Sequence, residues 1–226
     1  MATLTQKSKM KESKAKKVTG SEALILSLLE EGVDTIFGYP GGAIMPVYDS
    51  LYHFQDKIQH YLVRHEQGAA HAAQGYARVT GKVGVCFATS GPGATNLITG
   101  IADAQIDSTP IVCVTGQVPA HLLGTDAFQE SDVLSISMPV TKWSFQVTKA
   151  EEIPFAIARA FYIAKSGRPG PVLIDITKNA QFAELEFKYE KCEKLRSYHP
   201  YPPIDPRKIE EAAELINKAK KPTFKG

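Results

Sequence analysis

Residues 64–78 read RHEQGAAHAAQGYAR, and this stretch decides how the rest of the chain is interpreted. The apolar run before it, residues 58–63, is typical of a strand. The many Gly and Ala residues after Glu66 predict a helix that other parts of the backbone approach closely. Glu66 is therefore expected between the end of a strand and the start of a helix, where open α/β sheets place their sites. Its carboxylate there either handles a proton or only complements the positive end of the helix dipole.

Alternating strand and helix patterns continue on both sides of this stretch. Apolar runs predict strands at 33–37, 58–63, 83–88, 110–114, 143–147 and 172–176. Helices are predicted between them, including 21–31, 42–52, 92–104 and 150–165, with Ser21 as the cap of the first. This alternation predicts an α/β fold in which a mostly parallel sheet carries helices on both faces.

The chain is expected to divide into four segments. Residues 1–17 form a lysine-rich leader, predicted to be disordered, and residues 18–178 form the α/β domain. Residues 179–206 are predicted to be a polar linker that ends in a proline cluster, Pro200, Pro202, Pro203 and Pro206. Residues 207–226 carry an apolar helical stripe and a strand-like start, which predict the beginning of a truncated second domain. The alternative is that this helix packs back on the first domain.

Charge, cysteine content and apolar runs narrow the class of protein. The formal net charge is +2, which does not indicate a nucleic-acid partner, and none is predicted. No apolar run approaches the ~18 residues of a membrane span, and the leader lacks the apolar core of a secretory signal. Cys86 and Cys113 are expected to be buried thiols, and an odd cysteine count without metal spacing fits a reducing, cytoplasmic location. No metal site made by protein residues alone is predicted.

Three further segments follow predicted strands and contain turn residues. The first glycine turn is residues 38–43, GYPGGA, and the second glycine turn is residues 89–96, TSGPGATN. The Phe-Gln loop is residues 124–130, GTDAFQE. The second turn opens a helix and favours an anion or a polar ring, but it has neither the dinucleotide fingerprint nor the phosphate P-loop pattern. Each segment alone is as compatible with a structural turn as with a binding loop.

Taken together, these segments are similar to a known family. With Glu66 and the segment 167–172, GRPGPV, they form five ordered motifs along the chain. Residues 18 to about 180 resemble the amino-terminal, pyrimidine-binding domain of thiamine-diphosphate enzymes. The combination of motifs resembles the catalytic subunit of acetolactate synthase (acetohydroxyacid synthase), a transferase that joins carbon units.

The resemblance implies roles for individual residues. Glu66 matches the glutamate that hydrogen-bonds the pyrimidine ring and favours the imino form that takes a proton from the thiazolium carbon. Glu66 and Gln129 are the catalytic candidates. The remaining positions that match cofactor contacts are Tyr39, Pro40, Gly41, Pro92 and Asn96. Phe128, Gln129 and Lys178 match positions near the substrate and the flavin, although Lys178 is alternatively a solvated lysine at the start of the linker.

The resemblance also implies an activity, cofactors and partners. The complete enzyme would decarboxylate pyruvate and join the product to a second 2-keto acid, a step of branched-chain amino-acid biosynthesis. Thiamine diphosphate, Mg²⁺ and FAD are the implied cofactors, and a homodimer and a regulatory small subunit are the implied assembly. The family's later Gly-Asp-Gly segment for magnesium and diphosphate is absent from these 226 residues, as is most of the flavin-binding domain. The isolated chain is therefore expected to be inactive. A sister enzyme such as pyruvate oxidase and a non-catalytic assembly or regulatory domain remain alternatives.

Overall fold

The computed structural model describes residues 16–223, which fall in two compact units divided between Lys194 and Leu195. The strands are β1 (Lys16–Thr19), β2 (Thr35–Gly38), β3 (Gln59–Leu62), β4 (Gly84–Ala88), β5 (Ile111–Gln117), β6 (Trp143–Val147), β7 (Val172–Thr177) and β8 (Glu184–Phe187). The α-helices are α1 (Gly20–Glu30), α2 (Met45–Tyr52), α3 (Glu66–Thr80), α4 (Pro92–Asn96), α5 (Ile98–Ile106), α6 (Val133–Ser137), α7 (Ile153–Lys165), α8 (Lys178–Phe182) and α9 (Pro206–Lys218). Short 3₁₀ helices occur at Ala120–Leu122, Met138–Val140 and Ala150–Glu152.

Six strands of the first unit form one parallel sheet, which confirms the predicted fold class. Their order is β3-β2-β4-β5-β7-β6, and every neighbouring pair runs parallel. The central strands β4, β5 and β7 are buried along their whole length, as their continuous apolar runs require in a sheet covered on both faces. The edge strand β3 is mostly exposed. All six carboxyl ends therefore meet at one edge of the sheet.

Helices cover both faces of this sheet, as predicted. On one face, buried alanines of α3 and apolar residues of α5 pack on Cys86, Cys113 and Leu173 of the central strands. On the other face, the ring of Tyr48 on α2 lies edge-on against Phe87 of β4, with centroids 6.1 Å apart. Burial of the thiols of Cys86 and Cys113 is confirmed.

Close packing of the small-residue helices occurs within the chain. A Cβ placed on Gly100 of α5 would lie 2.5 Å from the Cβ of Ala70 on α3. The missing side chain therefore lets the two helices approach closely. Gly100 and Ala70 therefore owe their small size to the contact between α5 and α3.

The structure corrects three local predictions. The helix predicted at 92–104 is two helices, α4 and α5, which meet at Leu97. Thr19, not Ser21, caps α1, because its side chain accepts a hydrogen bond from the amide of Glu22, whereas Ser21 is buried and donates to the carbonyl of Gln181. The linker predicted from residue 179 does not begin there, because residues 179–187 lie in α8 and β8.

The strand β8 extends the first unit beyond the predicted boundary. It pairs antiparallel with β1, so Lys16 and Lys17 of the predicted leader lie in a strand, while residues 1–15 are outside the described residues. Leu185 is buried against Val18 and Ala150, which compensates the ordering of this short strand. The alternation Glu-Leu-Glu-Phe of β8 is the period-2 pattern of a half-buried strand.

The second unit contains α9. Asp205 caps this helix by accepting a hydrogen bond from the amide of Arg207 at 3.1 Å, and Pro206 occupies the first helical position. The stripe formed by Ile209, Ala212, Ala213 and Ile216 lies beside Pro203 and Ile204. A second domain at 207–226 stays a prediction. Within residues 16–223, no helix is long and apolar enough to cross a membrane.

Candidate functional site

The crevice between β2 and β4 is the place where this sheet is expected to bind a ligand. The chain passes from β2 to β3 on one side and then returns to β4 on the other, so the strand order reverses between β2 and β4. In open α/β sheets, ligands bind outside the carboxyl ends of the strands at such a reversal. The first glycine turn follows β2, and the second glycine turn follows β4. Both turns therefore border the crevice.

Glu66 and Asn96 are joined by a hydrogen bond at this crevice. Glu66 is the first residue of α3 and is 8% exposed. Nδ2 of Asn96, at the end of α4, donates to Oε2 of Glu66 at 2.9 Å. Within residues 16–223, no hydrogen-bond donor reaches Oε1 of Glu66. The carboxylate is thus held by one oxygen, and the other oxygen is available to a ligand.

Thr89 holds the two glycine turns together. Its Oγ1 accepts a hydrogen bond from the amide of Ala43 at 3.2 Å. A Cβ on Gly41 would lie 2.5 Å from the Cβ of Thr89, so this position in the first turn requires glycine. A Cβ on Gly93 would lie 2.8 Å from Cγ2 of Thr89 and 3.2 Å from Oε1 of Glu66. The absence of a side chain at Gly93 therefore leaves space beside the free oxygen of Glu66.

The Phe-Gln loop lies against the second glycine turn. Gly91 has φ of 56°, and a Cβ there would lie 2.6 Å from the carbonyl oxygen of Gln129. Gln129 itself has φ of 57°, a left-handed conformation that is uncommon for a residue other than glycine. Its side chain and that of Phe128, which is 88% exposed, are accessible to solvent. The loop backbone is thus in contact with the crevice, while its two candidate side chains remain accessible.

Glu130 fixes the internal shape of the Phe-Gln loop. Its carboxylate accepts hydrogen bonds from the amides of Gly124 at 2.5 Å and Ala127 at 3.0 Å. These backbone bonds, the one from Gly124 first, lower the pKa of Glu130 below its ordinary value. The carboxylate therefore stays ionised and works as an acceptor within the loop.

Other candidate residues lie at the same edge of the sheet. Tyr39 and Pro40 are exposed in the first glycine turn, and Pro92 is the first residue of α4. Lys178 is the first residue of α8, directly after β7, and not the start of an irregular linker. Its ammonium group forms no hydrogen bond or ion pair within residues 16–223. Glu66 contacts the second glycine turn, which in turn contacts the first glycine turn and the Phe-Gln loop, whereas these contacts do not extend to Lys178.

Two residues that support the crevice were not singled out in the sequence. Gln181, predicted in a linker, is buried, and its Nε2 donates to the carbonyls of Ala43 at 2.8 Å and Ile176 at 2.9 Å. A Cβ on Gly116 would lie 2.4 Å from the carbonyl oxygen of Ala43, so β5 also requires a small residue there. No local sequence pattern identifies these two residues, because both contacts join distant parts of the chain.

A buried polar cluster lies in the same sheet, on the neighbouring strands β5, β7 and β6. Asp175 of β7 is fully buried and accepts hydrogen bonds from Thr115 Oγ1 at 2.6 Å, Gln146 Nε2 at 2.9 Å and Gln117 Nε2 at 3.1 Å. Burial raises the pKa of Asp175 to about 6, although its three donors oppose the shift. The sequence signal for this cluster is a single carboxylate within an apolar strand.

The side chains at the crevice suit a planar polar ring and do not suit a metal ion. The free oxygen of Glu66 is able to accept a hydrogen bond from a ring N–H, and the space at Gly93 would admit a flat group. No group of three or more His, Cys, Asp or Glu side chains in residues 16–223 could hold a metal ion. The pyrimidine ring of thiamine diphosphate meets the first requirement, so the residues fit this part of the cofactor.

Comparison with known proteins confirms the resemblance seen in the sequence. Residues 18–136, more than half of the chain, match the family model for the thiamine pyrophosphate enzyme, N-terminal TPP binding domain; thiamine pyrophosphate is thiamine diphosphate. The chain is 56% identical over 220 residues to the acetolactate synthase large subunit of Corynebacterium glutamicum, covering 97% of this chain and 35% of that protein. It is 55% identical over 207 residues to an acetolactate synthase of Mycobacterium bovis, covering 92% and 33%.

A third relative gives the same result. The acetolactate synthase isozyme 2 large subunit of Escherichia coli is 54% identical over 207 residues, covering 91% of this chain and 36% of that protein. The chain thus spans about a third of the length of the curated relatives it matches. The region that matches the family model contains Glu66, both glycine turns and the Phe-Gln loop. The chain therefore belongs to the thiamine pyrophosphate enzyme family and contains its N-terminal TPP binding domain.

Proposed function

We propose that this chain forms the pyrimidine-binding part of a thiamine diphosphate site, and that the protein to which it belongs is an acetolactate synthase. The proposed reaction decarboxylates pyruvate and joins the two-carbon product to a second 2-keto acid. The observation that carries the proposal is Glu66, which is buried at the strand-order reversal, held through one oxygen by Asn96 and left with one free oxygen. Relatives named acetolactate synthase, identical at more than half of the aligned positions, support the same reaction.

Glu66 is proposed to hold the pyrimidine ring through its free oxygen. Asn96 keeps the carboxylate of Glu66 oriented. Because Glu66 lies in the first turn of α3, the helix dipole favours its negative charge. Pro92 and Asn96 are proposed to contact the ring from one side of the crevice, and the first glycine turn, with Tyr39, Pro40 and Gly41, from the other. A charge-assisted hydrogen bond in a desolvated crevice is stronger than the same bond in water.

When bound, thiamine diphosphate would supply a carbon nucleophile for the carbonyl of a 2-keto acid. The contribution of Glu66 is to hold a proton on the ring through Oε1, in the acid–base role typical of a buried carboxylate. Burial of Glu66 excludes water from this hydrogen bond. The side chains of Gln129 and Phe128 are exposed and are therefore available to the reacting 2-keto acid.

Lys178 is proposed to lie near the substrate or FAD. Its ammonium group is unpaired among residues 16–223, which suits an anionic carboxylate or phosphate. FAD, Mg²⁺, the homodimer and a regulatory subunit belong to the proposal through the family resemblance. The described residues contain no group of three or more His, Cys, Asp or Glu side chains that could hold Mg²⁺.

Glu66→Gln tests the proposal in protein expressed from its complete coding region. Glu31→Gln is the matched control, because the side chain of Glu31 is also buried but pairs with Tyr189 and Lys165 away from the crevice. We expect Glu66→Gln to slow solvent exchange of the proton on the thiazolium carbon, and acetolactate formation, by about 10²–10⁴-fold. Glu31→Gln should leave both rates within about twofold. Unchanged exchange in the Glu66→Gln protein would refute the proposal.

A further inference from the structure

Gln117 connects the buried polar cluster to the Phe-Gln loop. It is the last residue of β5 and is 1% exposed. Its Nε2 donates to Oδ2 of Asp175 and to the carbonyl of Ser131, both at 3.1 Å. Its Oε1 accepts a hydrogen bond from the amide of Val118 at 2.9 Å. Both N–H groups and the carbonyl of this side chain are thus engaged, which fixes its rotamer.

Asp175 holds Gln117 from the neighbouring strand β7. The register places Asp175 directly beside Thr115 of β5 and Gln146 of β6, and both side chains donate to its carboxylate. All three donors to Asp175 are neutral, so within residues 16–223 the buried charge has no cationic partner. Such burial is costly, and an apolar residue would fill the same strand position without that cost. The cluster therefore calls for an explanation beyond stability.

Ser131 links this cluster to the candidate substrate residues. It lies two positions after Gln129, and its carbonyl also accepts a hydrogen bond from the amide of Val133 at 2.8 Å. Glu130 fixes the shape of the loop internally, whereas the bond from Gln117 attaches the end of the loop to the sheet. The carbonyl of Gln129 then lies against Gly91 of the second glycine turn.

We propose that Gln117, held by Asp175, is a positioning residue: it fixes the carbonyl of Ser131 and thereby the placement of Gln129 and Phe128 at the crevice. This inference rests on the proposed role of Gln129 in substrate binding. Gln117 does not itself contact the crevice in this arrangement, since its hydrogen-bonding groups are engaged by Asp175, Ser131 and Val118. Its effect on substrate is therefore transmitted through the loop backbone.

Gln117→Met tests the inference, and Gln146→Met is the matched control. Both variants keep an unbranched side chain and remove one donor to Oδ2 of Asp175, but only Gln117 also reaches Ser131. Amide hydrogen exchange of residues 124–133, measured in the complete protein, reports attachment of the loop without using activity. We expect Gln117→Met to speed this exchange roughly fivefold to tenfold, about the size of one hydrogen bond, and Gln146→Met to leave it unchanged.

Kinetics then distinguish a positioning role from a structural one. We expect Gln117→Met to raise KM for pyruvate, or to change the ratio of products, roughly fivefold with kcat changed less. Asp175→Asn should retain wild-type loop exchange, because its side-chain oxygen can accept from Gln117 and Gln146 while its NH₂ donates to Thr115. If Gln117→Met does not fold, Gln117→Asn gives the same test, since its amide is one methylene too short to reach both partners.

The outcomes separate this inference from the proposed function. If Gln129→Ala changes the pyruvate KM but Gln117→Met alters neither loop exchange nor KM, the positioning role is overturned and the proposed function stands. If Gln129→Ala has no kinetic effect, the substrate role proposed for the loop fails. Equal effects of Gln117→Met and Gln146→Met on loop exchange would also overturn the inference, because they would indicate general loosening of the sheet.

Discussion

Asn96 donates from Nδ2 to Oε2 of Glu66 at 2.9 Å, and this bond joins the end of α4 to the first turn of α3. It leaves Oε1 of Glu66 without a donor among residues 16–223 and directs that oxygen toward the space at Gly93. The second glycine turn therefore contributes both the clamp on the carboxylate and the room beside it. Two predictions depend directly on this arrangement.

Asn96→Ala is expected to weaken binding of thiamine diphosphate. The variant removes the donor that orients Glu66 and leaves a largely buried carboxylate oxygen without a partner, at a cost of about 1–2 kcal/mol. Affinity measured by calorimetry in the complete protein should fall about fivefold to thirtyfold. Thr95→Ala, which alters an exposed hydroxyl of the same helix, is the control. Wild-type affinity in Asn96→Ala would show that the clamp has no role in binding.

Gly93→Ala is expected to close the space beside Glu66. Its new Cβ would lie 2.8 Å from Cγ2 of Thr89 and 3.2 Å from Oε1 of Glu66, so a ring could no longer approach as closely. We expect at least tenfold weaker cofactor binding. Gly68→Ala, in α3, is the control, because no atom lies within 4 Å of its new Cβ. It should bind normally and be up to about 1 kcal/mol more stable through helix propensity. Equal affinities in the two variants would contradict the prediction.

Much of the fold could be predicted from the sequence, because the buried strands are apolar along their whole length. The runs containing Val85, Val112 and Ile174 specify central parallel strands without reference to any partner. The placement of Glu66 was likewise predictable, since the apolar run ends shortly before the carboxylate that opens α3. Local patterns were sufficient wherever one segment alone determines the outcome.

Features that depend on pairing between distant segments could not be predicted. β1 and β8 have four residues each and lie more than 160 positions apart, so neither pattern identifies its partner. The donors to Asp175 follow from the strand order, which brings Thr115 and Gln146 to opposite sides of the same residue. The division of the predicted helix into α4 and α5 occurs at Leu97, where the sequence has no glycine or proline to mark it. The short helix α4 makes the contacts at the crevice.

Asp175 gives the stability of the protein a pH dependence. Burial is the main cause that raises its pKa to about 6 in the folded state, whereas the ordinary value is 3.8. Well below pH 3.8 the carboxyl is protonated in both the folded and the unfolded state, so its burial costs nothing there. As the pH rises to about 6, the unfolded chain loses its proton first, so the free energy of unfolding falls by about 3 kcal/mol and then stays level.

The Asp175→Asn variant is expected to show no such fall in the free energy of unfolding as the pH rises, because asparagine does not ionise. The stability of the variant relative to wild type should therefore increase by about 2 kcal/mol between pH 4.5 and pH 7.5, measured by urea unfolding. Asp34, whose pKa is lowered to about 2 by Lys82 and Tyr76, changes stability only below this range. The lowered pKa of His60, caused by burial, affects both proteins equally and cancels in the difference. A constant difference across this range would contradict the ionisation assigned to Asp175.

Gln129→Gly is expected to make the protein more stable and the enzyme less effective. Gln129 has φ of 57°, where glycine is unstrained, so the substitution should raise the free energy of unfolding by up to about 1 kcal/mol. It also removes the side chain proposed to meet the 2-keto acid, so KM for pyruvate should rise or the product ratio should change. Asp126→Gly is the matched control, because Asp126 has φ of 56° in the same exposed loop and no proposed contact with substrate. It should gain similar stability with unchanged kinetics. If Gln129→Gly gains stability and keeps wild-type kinetics, the left-handed residue is a structural feature of the loop and the substrate role must be assigned elsewhere.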